Sequence, residues 1–241
     1  MCSCRINTRL TETRQPQCSP RPFTAAHGEN DRLGTVYAQF ALDLKKNLCA
    51  KLWNPERQFF TALAVTGEHD DVCELNGYAP FYFAMPLDKS YADGAFGYLA
   101  GNNGFRAPRG LTFPLQSTRG FDVKVEGGRH ECLWNGPSWP YATSIALTAL
   151  AQQLQRGGLR WVCREDFVQL LSQYAAQQRL TRPGAEGGAT VPWIDENLHP
   201  YTGEWIARRV LQLKAQAGGR PNEPRERGKD YNHSTFCDLV I

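Results

Sequence analysis

Two regions with helical hydrophobic periods, separated by a long stretch without one, constrain the fold of this sequence most strongly. Val36, Phe40 and Leu44 recur at helical spacing near the start, and comparable periods return within residues 143–216. Between residues 58 and 129 Gly, Pro and aromatic residues alternate, which predicts long loops with at most a short hairpin. No segment has the continuous apolar run that is typical of a parallel strand. The pattern predicts an all-α fold with long aromatic-rich loops.

Helix-breaking residues (Pro and Gly) and charged residues set the predicted helix boundaries. The first helix is expected to begin near Leu33 and to end near Trp53-Asn54-Pro55. Glycines and first-turn carboxylates delimit the others, which are predicted at residues 143–155, 164–178 and 204–216. Residues 1–30 mix Ser, Thr, Arg, Gln and Pro without a hydrophobic period. They are predicted to form an irregular, disordered leader.

Composition and charge exclude several classes of protein. The 27 Lys and Arg residues nearly balance the 24 Asp and Glu residues, so the net charge of +3 demands no nucleic-acid or anionic-membrane partner. The longest apolar stretch, Tyr78 to Leu87, contains two prolines and is too short to span a bilayer. The N-terminus has no apolar segment typical of a secretory signal. We therefore predict a globular, cytoplasmic protein with no membrane partner.

The cysteine and histidine residues are scattered. Eight cysteines occur without any Cys-x-x-Cys pair, and five histidines do not supply the missing ligand spacing. The sequence therefore predicts no metal site and no cofactor. Most of the cysteines are expected to be buried thiols in a reducing compartment.

Four segments rich in Trp, Tyr, carboxylates and amides carry the chemistry: residues 72–86, 130–144, 192–205 and 225–241. Aromatic faces beside polar groups suit a sugar, because its C–H faces stack on rings while its hydroxyls need polar partners. Two opposed carboxyl groups would supply acid and base. Taken singly, each tryptophan also fits a core position and each carboxylate a helix cap. The clustering of these residues in loops that precede helices favours a sugar site.

These segments resemble a known family. The stretch CLWNGPSWPYATS, residues 132–144, resembles the Trp-x-Gly-Pro-x-Trp motif of glycoside hydrolase family 63 and the related trehalases. Together with PWIDENLHPYTGEW and RGKDYNHSTFCDLVI, it looks like the mannosylglycerate hydrolase-like branch of this six-hairpin group. LWNPERQFF and ELNGYAPFYFAMP are similar to the same branch. The resemblance runs from about Leu33 to Ile241, and it implies that residues 31–241 form part of an (α/α)6 toroid.

The resemblance implies hydrolysis of an O-glycosidic bond in a glucoside or mannoside, a small glycoside or oligosaccharide, with inversion. In this family the base is a Glu about nine residues before the start of a helix. Here HSTF occupies that helix start, and counting back from Thr235 reaches Glu226. Glu204, in a Thr-Gly-Glu segment, competes for the role, although the spacing favours Glu226. Glu204 also fits a first-turn helix carboxylate, and Glu226 an exposed partner of a neighbouring arginine.

Substrate-binding residues are carried over from the same motifs. We expect them to converge on one concave face, because their loops precede helices at the same end of the toroid. They are Trp134, Asn135, Gly136, Trp139, Trp193, Glu196, Asn197 and His233.

This sequence departs from the family pattern in three ways. It has no Ser-Gly-Trp-Asp-type loop, which supplies the general acid in the family, and residues 111–120 differ from the usual stretch. It also predicts too few helices for a complete toroid. We therefore expect a partial chain, from a natural truncation or a gene-model fragment, with exposed apolar helix faces that favour self-association. If this chain does contain the acid, Asp122 and Asp195 are the first candidates.

Two other functions fit parts of the sequence. A non-catalytic carbohydrate-binding remnant differs from the main hypothesis only in the absence of turnover. Residues 206–229 carry seven basic against two acidic side chains, which could bind nucleic-acid phosphates. Aromatic residues are not interleaved with this basic run, so base stacking is poorly supported. We predict no nucleic-acid partner.

Overall fold

The computed structural model describes residues 29–101, 104–126, 132–181 and 190–216. By its internal contacts the chain divides into two units, residues 1–46 and 47–241. The described part is rich in helix, as the sequence predicts. Its α-helices are α1 (Glu29–Lys51), α2 (Ala79–Tyr82), α3 (Lys89–Gly97), α4 (Pro140–Gln155), α5 (Arg164–Gln177) and α6 (Ile206–Gln216).

Short strands form three antiparallel pairs in the described residues. A 3₁₀ turn at Leu75–Tyr78 leads directly into α2. The strands are β1 (Trp53–Asn54) with β2 (Phe59–Phe60), β3 (Arg106–Ala107) with β4 (Gly110–Leu111), and β5 (Arg179–Thr181) with β6 (Thr190–Pro192). Within residues 58–129, where the sequence predicts at most a short hairpin, β3 and β4 form one, whereas β1 and the pair of β5 with β6 lie outside that range and are not predicted. Their apolar residues are too few for an alternating pattern to be visible.

The first unit is described only from residue 29 to residue 46, all within α1. The helix begins four residues before the predicted start and includes the last two residues of the predicted leader. It ends at Lys51, just before the predicted boundary. Its large apolar side chains Leu33, Val36, Tyr37, Phe40 and Leu44 are exposed.

Aromatic rings dominate the core of the second unit. Tyr78, Phe96 and Phe105 are fully buried, and Phe59 contacts Tyr78 and Phe105 with ring centroids 5.2 and 5.7 Å apart. A Cβ at Gly77 would lie 2.1 Å from a ring atom of Phe59, so only glycine lets the 3₁₀ turn approach this ring. The core therefore draws on the stretch that shows no helical period.

Helices α4 and α5 follow the predicted rules closely. Pro140 occupies the first turn of α4, where its missing N–H costs nothing, and the helix stops before Gly157 and Gly158, both with positive φ. At the start of α5 the Cys163 backbone N–H donates to Asp166 Oδ2 at 3.0 Å. The two helices pack against each other.

Helix α3 is absent from the sequence prediction. It has nine residues, including Gly94 and Gly97, and both its length and its glycines hide the period. Its buried Ala92, Ala95 and Phe96 nevertheless follow helical spacing. A Cβ at Gly94 would lie 2.9 Å from Cβ of Gln58, so close packing explains that glycine. In the described part of the chain, no helix combines the length and apolarity needed to cross a bilayer.

Candidate functional site

Two stacked indoles define the candidate site. The rings of Trp134 and Trp139 are 3.6 Å apart at an interplanar angle of 7°. Trp139 is only 1% exposed, and its Nε1–H donates to the Leu133 carbonyl at 2.8 Å, whereas Trp134 is 42% exposed. Phe113 meets the Trp134 ring edge-on at 4.7 Å. We call Trp134 and Trp139 the tryptophan platform: a partly exposed ring held in orientation by a buried one.

The loop after Trp134 packs against the segment that contains Asp122. The Asp122 backbone N–H donates to the Asn135 carbonyl at 2.9 Å, and Asn135 Nδ2 donates to the Gly120 carbonyl at 3.1 Å. A Cβ at Gly136 would lie 2.2 Å from the carbonyl oxygen of Asp122, so this close approach requires glycine. Asp122 is half-buried, and its Oδ1 accepts the Lys124 N–H.

A backbone bridge joins the tryptophan segment to residues 192–205. Ser138 and Leu198 exchange two hydrogen bonds of 2.8 Å each. The side chain of Gln177, at the end of α5, donates from Nε2 to Ser138 Oγ at 3.3 Å. The fold thus brings together two of the four segments that the sequence singled out.

Cys132 connects the platform to a buried carboxylate. The Glu196 carboxylate and the Trp134 side chain both lie close enough to its thiol to shift the thiol pKa, the carboxylate upward and the indole downward. Burial, and then the nearby Glu196 carboxylate, raise the pKa of the Cys132 thiol to about 11, so the thiol keeps its proton. Glu196 is 6% exposed, and Asn197 beside it is fully buried. The buried carboxylate and the exposed indole are therefore neighbours of the same thiol.

Asp195 organises the turn that presents Glu196. Its Oδ1 accepts the Glu196 N–H at 2.9 Å, and its Oδ2 accepts Trp193 Nε1–H at 3.2 Å and lies 3.6 Å from Arg208 Nε. Burial raises the pKa of Asp195, although these hydrogen bonds and the Arg208 charge act in the opposite direction. The Arg208 guanidinium also lies 4.5 Å above the centre of the Trp193 ring. One face of Trp193 is therefore covered by a cation.

Glu204 occupies a more open place. Its Oε1 lies 3.4 Å from Arg209 Nε, and both side chains are exposed by more than a third. It borders a cavity of about 250 Å³ together with Arg179, Trp205 and Arg208. Glu204 can reach solvent but is neutralised by an arginine, which is typical of a surface ion pair.

His199 is a half-buried polar group that the sequence analysis did not select. Its Nδ1 accepts the backbone N–H groups of Tyr201 and Thr202, both at 3.2 Å. Burial lowers the pKa of His199, and the charge of Glu204 opposes this shift. The ring is therefore neutral near pH 7, with its proton on Nε2. The only feature of the sequence that could identify His199 is its position two residues before the turn Tyr201–Gly203.

The predicted site residues have different positions. Trp134 and Asn135 are exposed, whereas Trp139, Gly136, Glu196 and Asn197 are buried and Trp193 is half-buried. Glu226 and His233 lie outside the described residues. The sequence does not predict Cys132 and Phe113 as site residues, because neither belongs to a motif with a recognisable spacing. Over the described ranges, no three His, Cys, Asp or Glu side chains cluster as metal ligands would.

Two arginines of the basic segment 206–229 are already engaged within the chain. Arg208 contacts Asp195 and Trp193, and Arg209 contacts Glu204. Such contacts reduce the charge that these two side chains could offer to phosphates. The basic residues from 220 onward lie outside the described residues.

Comparison with models of protein families identifies the family of this chain. The family model of the mannosylglycerate hydrolase MGH1-like glycoside hydrolase domain matches residues 24–234. The chain belongs to this family. The match covers the tryptophan platform, Glu196 and both predicted bases, and it begins inside the predicted leader.

Solved structures resemble this MGH1-like domain to different degrees. A chain described as a sialidase is 29% identical with a TM-score of 0.68, and the match covers 88% of this chain but 17% of that one. The GH63 mannosylglycerate hydrolase from Thermus thermophilus, in complex with glucose, is 19% identical with a TM-score of 0.47. That match covers 73% of this chain and 38% of the hydrolase. No match is found among curated proteins.

Proposed function

We propose that this MGH1-like domain binds a glucoside or mannoside on the tryptophan platform and supplies the carboxylate that activates water in an inverting glycoside hydrolysis. The observation that carries the proposal is that a partly exposed indole, Trp134, stacked on Trp139, and a buried carboxylate, Glu196, both lie beside the Cys132 thiol. It combines an exposed aromatic face with a buried carboxylate, the two groups that a glycosidase needs beside each other.

The platform suits one face of a pyranose ring. A sugar presents C–H groups on its faces, and the exposed part of the Trp134 indole offers them an apolar surface. Because Trp139 backs Trp134 at 3.6 Å, the exposed ring loses little freedom when a ligand stacks on it. Asn135, exposed beside Trp134, could supply polar partners for hydroxyl groups.

Glu196 is our proposed base among the described carboxylates. Glu196 is buried beside the thiol two residues before Trp134, so a sugar stacked on Trp134 would bring the attacking water to this carboxylate. Glu204 is held in an exposed ion pair with Arg209. Glu226, which the family spacing favours, lies outside the described residues and remains the alternative for this role.

Two described carboxyl groups, Asp195 and Asp122, are candidates for the general acid. The two oxygens of Asp195 already accept hydrogen bonds from Glu196 and Trp193, which argues for a positioning role. Asp122 is half-buried against the loop of Asn135 and Gly136, so it is the first described candidate for the acid. In an inverting site, acid and base are about 6.5–9.5 Å apart, with room for water between them.

The larger architecture is also a proposal. Helices α4 and α5 form a packed pair joined by a short connection, which is the repeating unit of an (α/α)6 toroid. We propose that residues 31–241 contribute several such pairs and that the candidate site lies at the end where the residue 130–139 loop enters α4.

A binding experiment tests the platform without depending on turnover. We expect Trp134→Ala to weaken binding of methyl α-glucoside or methyl α-mannoside about tenfold, because one stacked ring contributes ~1.4 kcal/mol. Isothermal titration calorimetry measures this loss. Trp161→Ala, which removes another exposed tryptophan, is the matched control. Equal affinity of the Trp134→Ala variant and the unmodified chain, or no binding of either sugar, would remove the sugar-site proposal.

We further propose that the chain self-associates through the apolar face of α1. Leu33, Val36, Phe40 and Leu44 follow one side of this helix and are exposed. The proposed occupant is a second copy, because an identical apolar face is self-complementary in a symmetric dimer.

Sedimentation velocity over a range of concentrations tests this association. We expect Val36→Glu/Phe40→Glu to raise the concentration needed for association by at least about tenfold, since each buried large apolar side chain contributes ~1.5–3 kcal/mol. Thr35→Glu/Ala38→Glu adds the same charge on the other side of α1 and should have little effect. A monomeric unmodified chain, or equal effects of both pairs, contradicts the proposal.

A further inference from the structure

We propose that a second cavity, separate from the tryptophan platform, binds a neutral, hydroxyl-rich ligand of hexopyranoside size. The cavity measures about 600 Å³, within the range of roughly 300–1,000 Å³ typical of small-ligand sites. It shares no lining residue with the platform or with Glu196, so it does not depend on the proposed hydrolysis. The lining residues are Arg106, Ala107, Pro108, Gln116, Gln169, Gln173 and Tyr201.

One wall is held in place by Gln116. Its Nε2 donates to the carbonyls of Gly104 and Arg106 at 3.0 and 2.7 Å, and its Oε1 accepts the Tyr201 hydroxyl at 2.6 Å. The Tyr201 proton is thereby engaged by Gln116. The Tyr201 oxygen can accept a hydrogen bond from a ligand hydroxyl.

Helix α5 contributes two further lining residues, Gln169 and Gln173. Gln169 and Gln173 are four residues apart and so lie on one face of this helix. Gln169 accepts a hydrogen bond from Arg106 Nη2 through Oε1, and Gln173 donates from Nε2 to the Ala107 carbonyl at 2.8 Å. Each glutamine uses only one end of its amide in these bonds. The NH2 of Gln169 and the carbonyl of Gln173 therefore offer the cavity one donor group and one acceptor.

The electrostatics of the cavity favour a neutral ligand. The Arg106 side chain is 14% exposed, and its Nη1 lies 3.2 Å from Asp166 Oδ1. Burial acts against ionisation of Asp166, but hydrogen bonds from Cys163 and Arg106 lower its pKa overall, so the carboxylate balances the guanidinium. An anionic ligand would have to compete with Asp166 for Arg106. Paired donors and acceptors, as in vicinal hydroxyls, match the two amides instead.

Ala107 and Pro108 also line the cavity and add apolar surface to it. This surface can contact the C–H groups of a pyranose while the amides bond its hydroxyls. The cavity thus combines the features that distinguish a sugar site from a site for an anion or an apolar molecule.

Calorimetric titration of the full chain tests the proposal, with methyl α-glucoside as the probe and methyl α-glucuronide as its anionic counterpart. All variants are made in the Trp134→Ala background, so that binding at the platform is about tenfold weaker and the same in every variant. We expect methyl α-glucoside to bind this background. Tyr201→Phe and Gln169→Leu should each weaken that binding about three- to tenfold, because each removes one ligand hydrogen bond.

Two exposed residues supply matched controls: Tyr37→Phe on α1 and Gln155→Leu at the end of α4 should bind as the background does. The proposal is overturned if Trp134→Ala binds no glucoside, if Tyr201→Phe and Gln169→Leu bind like the controls, or if the glucuronide binds more tightly than the glucoside. Loss of the platform site alone leaves this result unaffected, so the two proposals fail separately. Melting curves of all variants identify any loss caused by unfolding.

Discussion

Glu196→Gln is expected to lower glycoside turnover by about 10²–10⁴-fold while sugar binding stays close to that of the unmodified protein. A base acts mainly in the transition state, so kcat falls and the dissociation constant does not. The amide oxygen of Gln can still accept a hydrogen bond from the Cys132 thiol, which preserves the local structure. The measurement is the rate at which the unmodified protein and the Glu196→Gln variant hydrolyse a nitrophenyl glucoside or mannoside.

Two further variants make this assignment decisive. Glu204→Gln removes a carboxylate that is exposed and paired with Arg209, and it should retain most turnover. Glu226→Gln tests the residue that the family spacing favours. If turnover survives Glu196→Gln but disappears in Glu226→Gln or Glu204→Gln, the base is that other residue.

Trp139→Ala should destabilise the fold by about 3–5 kcal/mol, because it removes a large side chain that is 1% exposed and leaves a cavity beneath Trp134. The change also leaves the Leu133 carbonyl without its Nε1–H donor. Urea denaturation followed by far-UV circular dichroism gives the loss without relying on tryptophan fluorescence.

Trp161→Ala is the control for this stability measurement, since Trp161 is 55% exposed and the Arg160 guanidinium lies above its ring. It should cost no more than about 1 kcal/mol. Equal losses for the two variants would show that Trp139 does not hold the platform in place. Trp139→Phe, which keeps an aromatic ring, is expected to fall between them.

The sequence predicts long helices well and short elements poorly. Helices α4 and α5 have apolar faces, glycine stops and first-turn carboxylates, and the predicted ends agree with the structure within a few residues. Helix α3 is not predicted, because two of its nine residues are glycines, which weaken its hydrophobic period and its helix propensity. In that short segment, buried neighbours such as Phe59 decide the conformation more than local propensity does.

The site was predictable in its segments but not in the exposure of its residues. The Trp-x-Gly-Pro-x-Trp motif and the 192–205 segment are joined by the bridge between Ser138 and Leu198, as their shared chemistry suggested. The motif does not reveal that Trp139 is buried while Trp134 is exposed, since a five-residue separation outside a helix fixes no direction. Likewise, the role of Cys132 depends on a side-chain contact that no spacing encodes.

The stacked pair has a consequence for how this domain can diverge. Because the Trp134 ring lies on Trp139, a smaller residue at position 139 would free that ring to tilt, and a different ring at position 134 would expose the buried one. Lineages that acquire a new sugar preference through position 134 are therefore expected to change position 139 as well. Ligand preference and folding stability are then inherited together, as coupled traits of one residue pair.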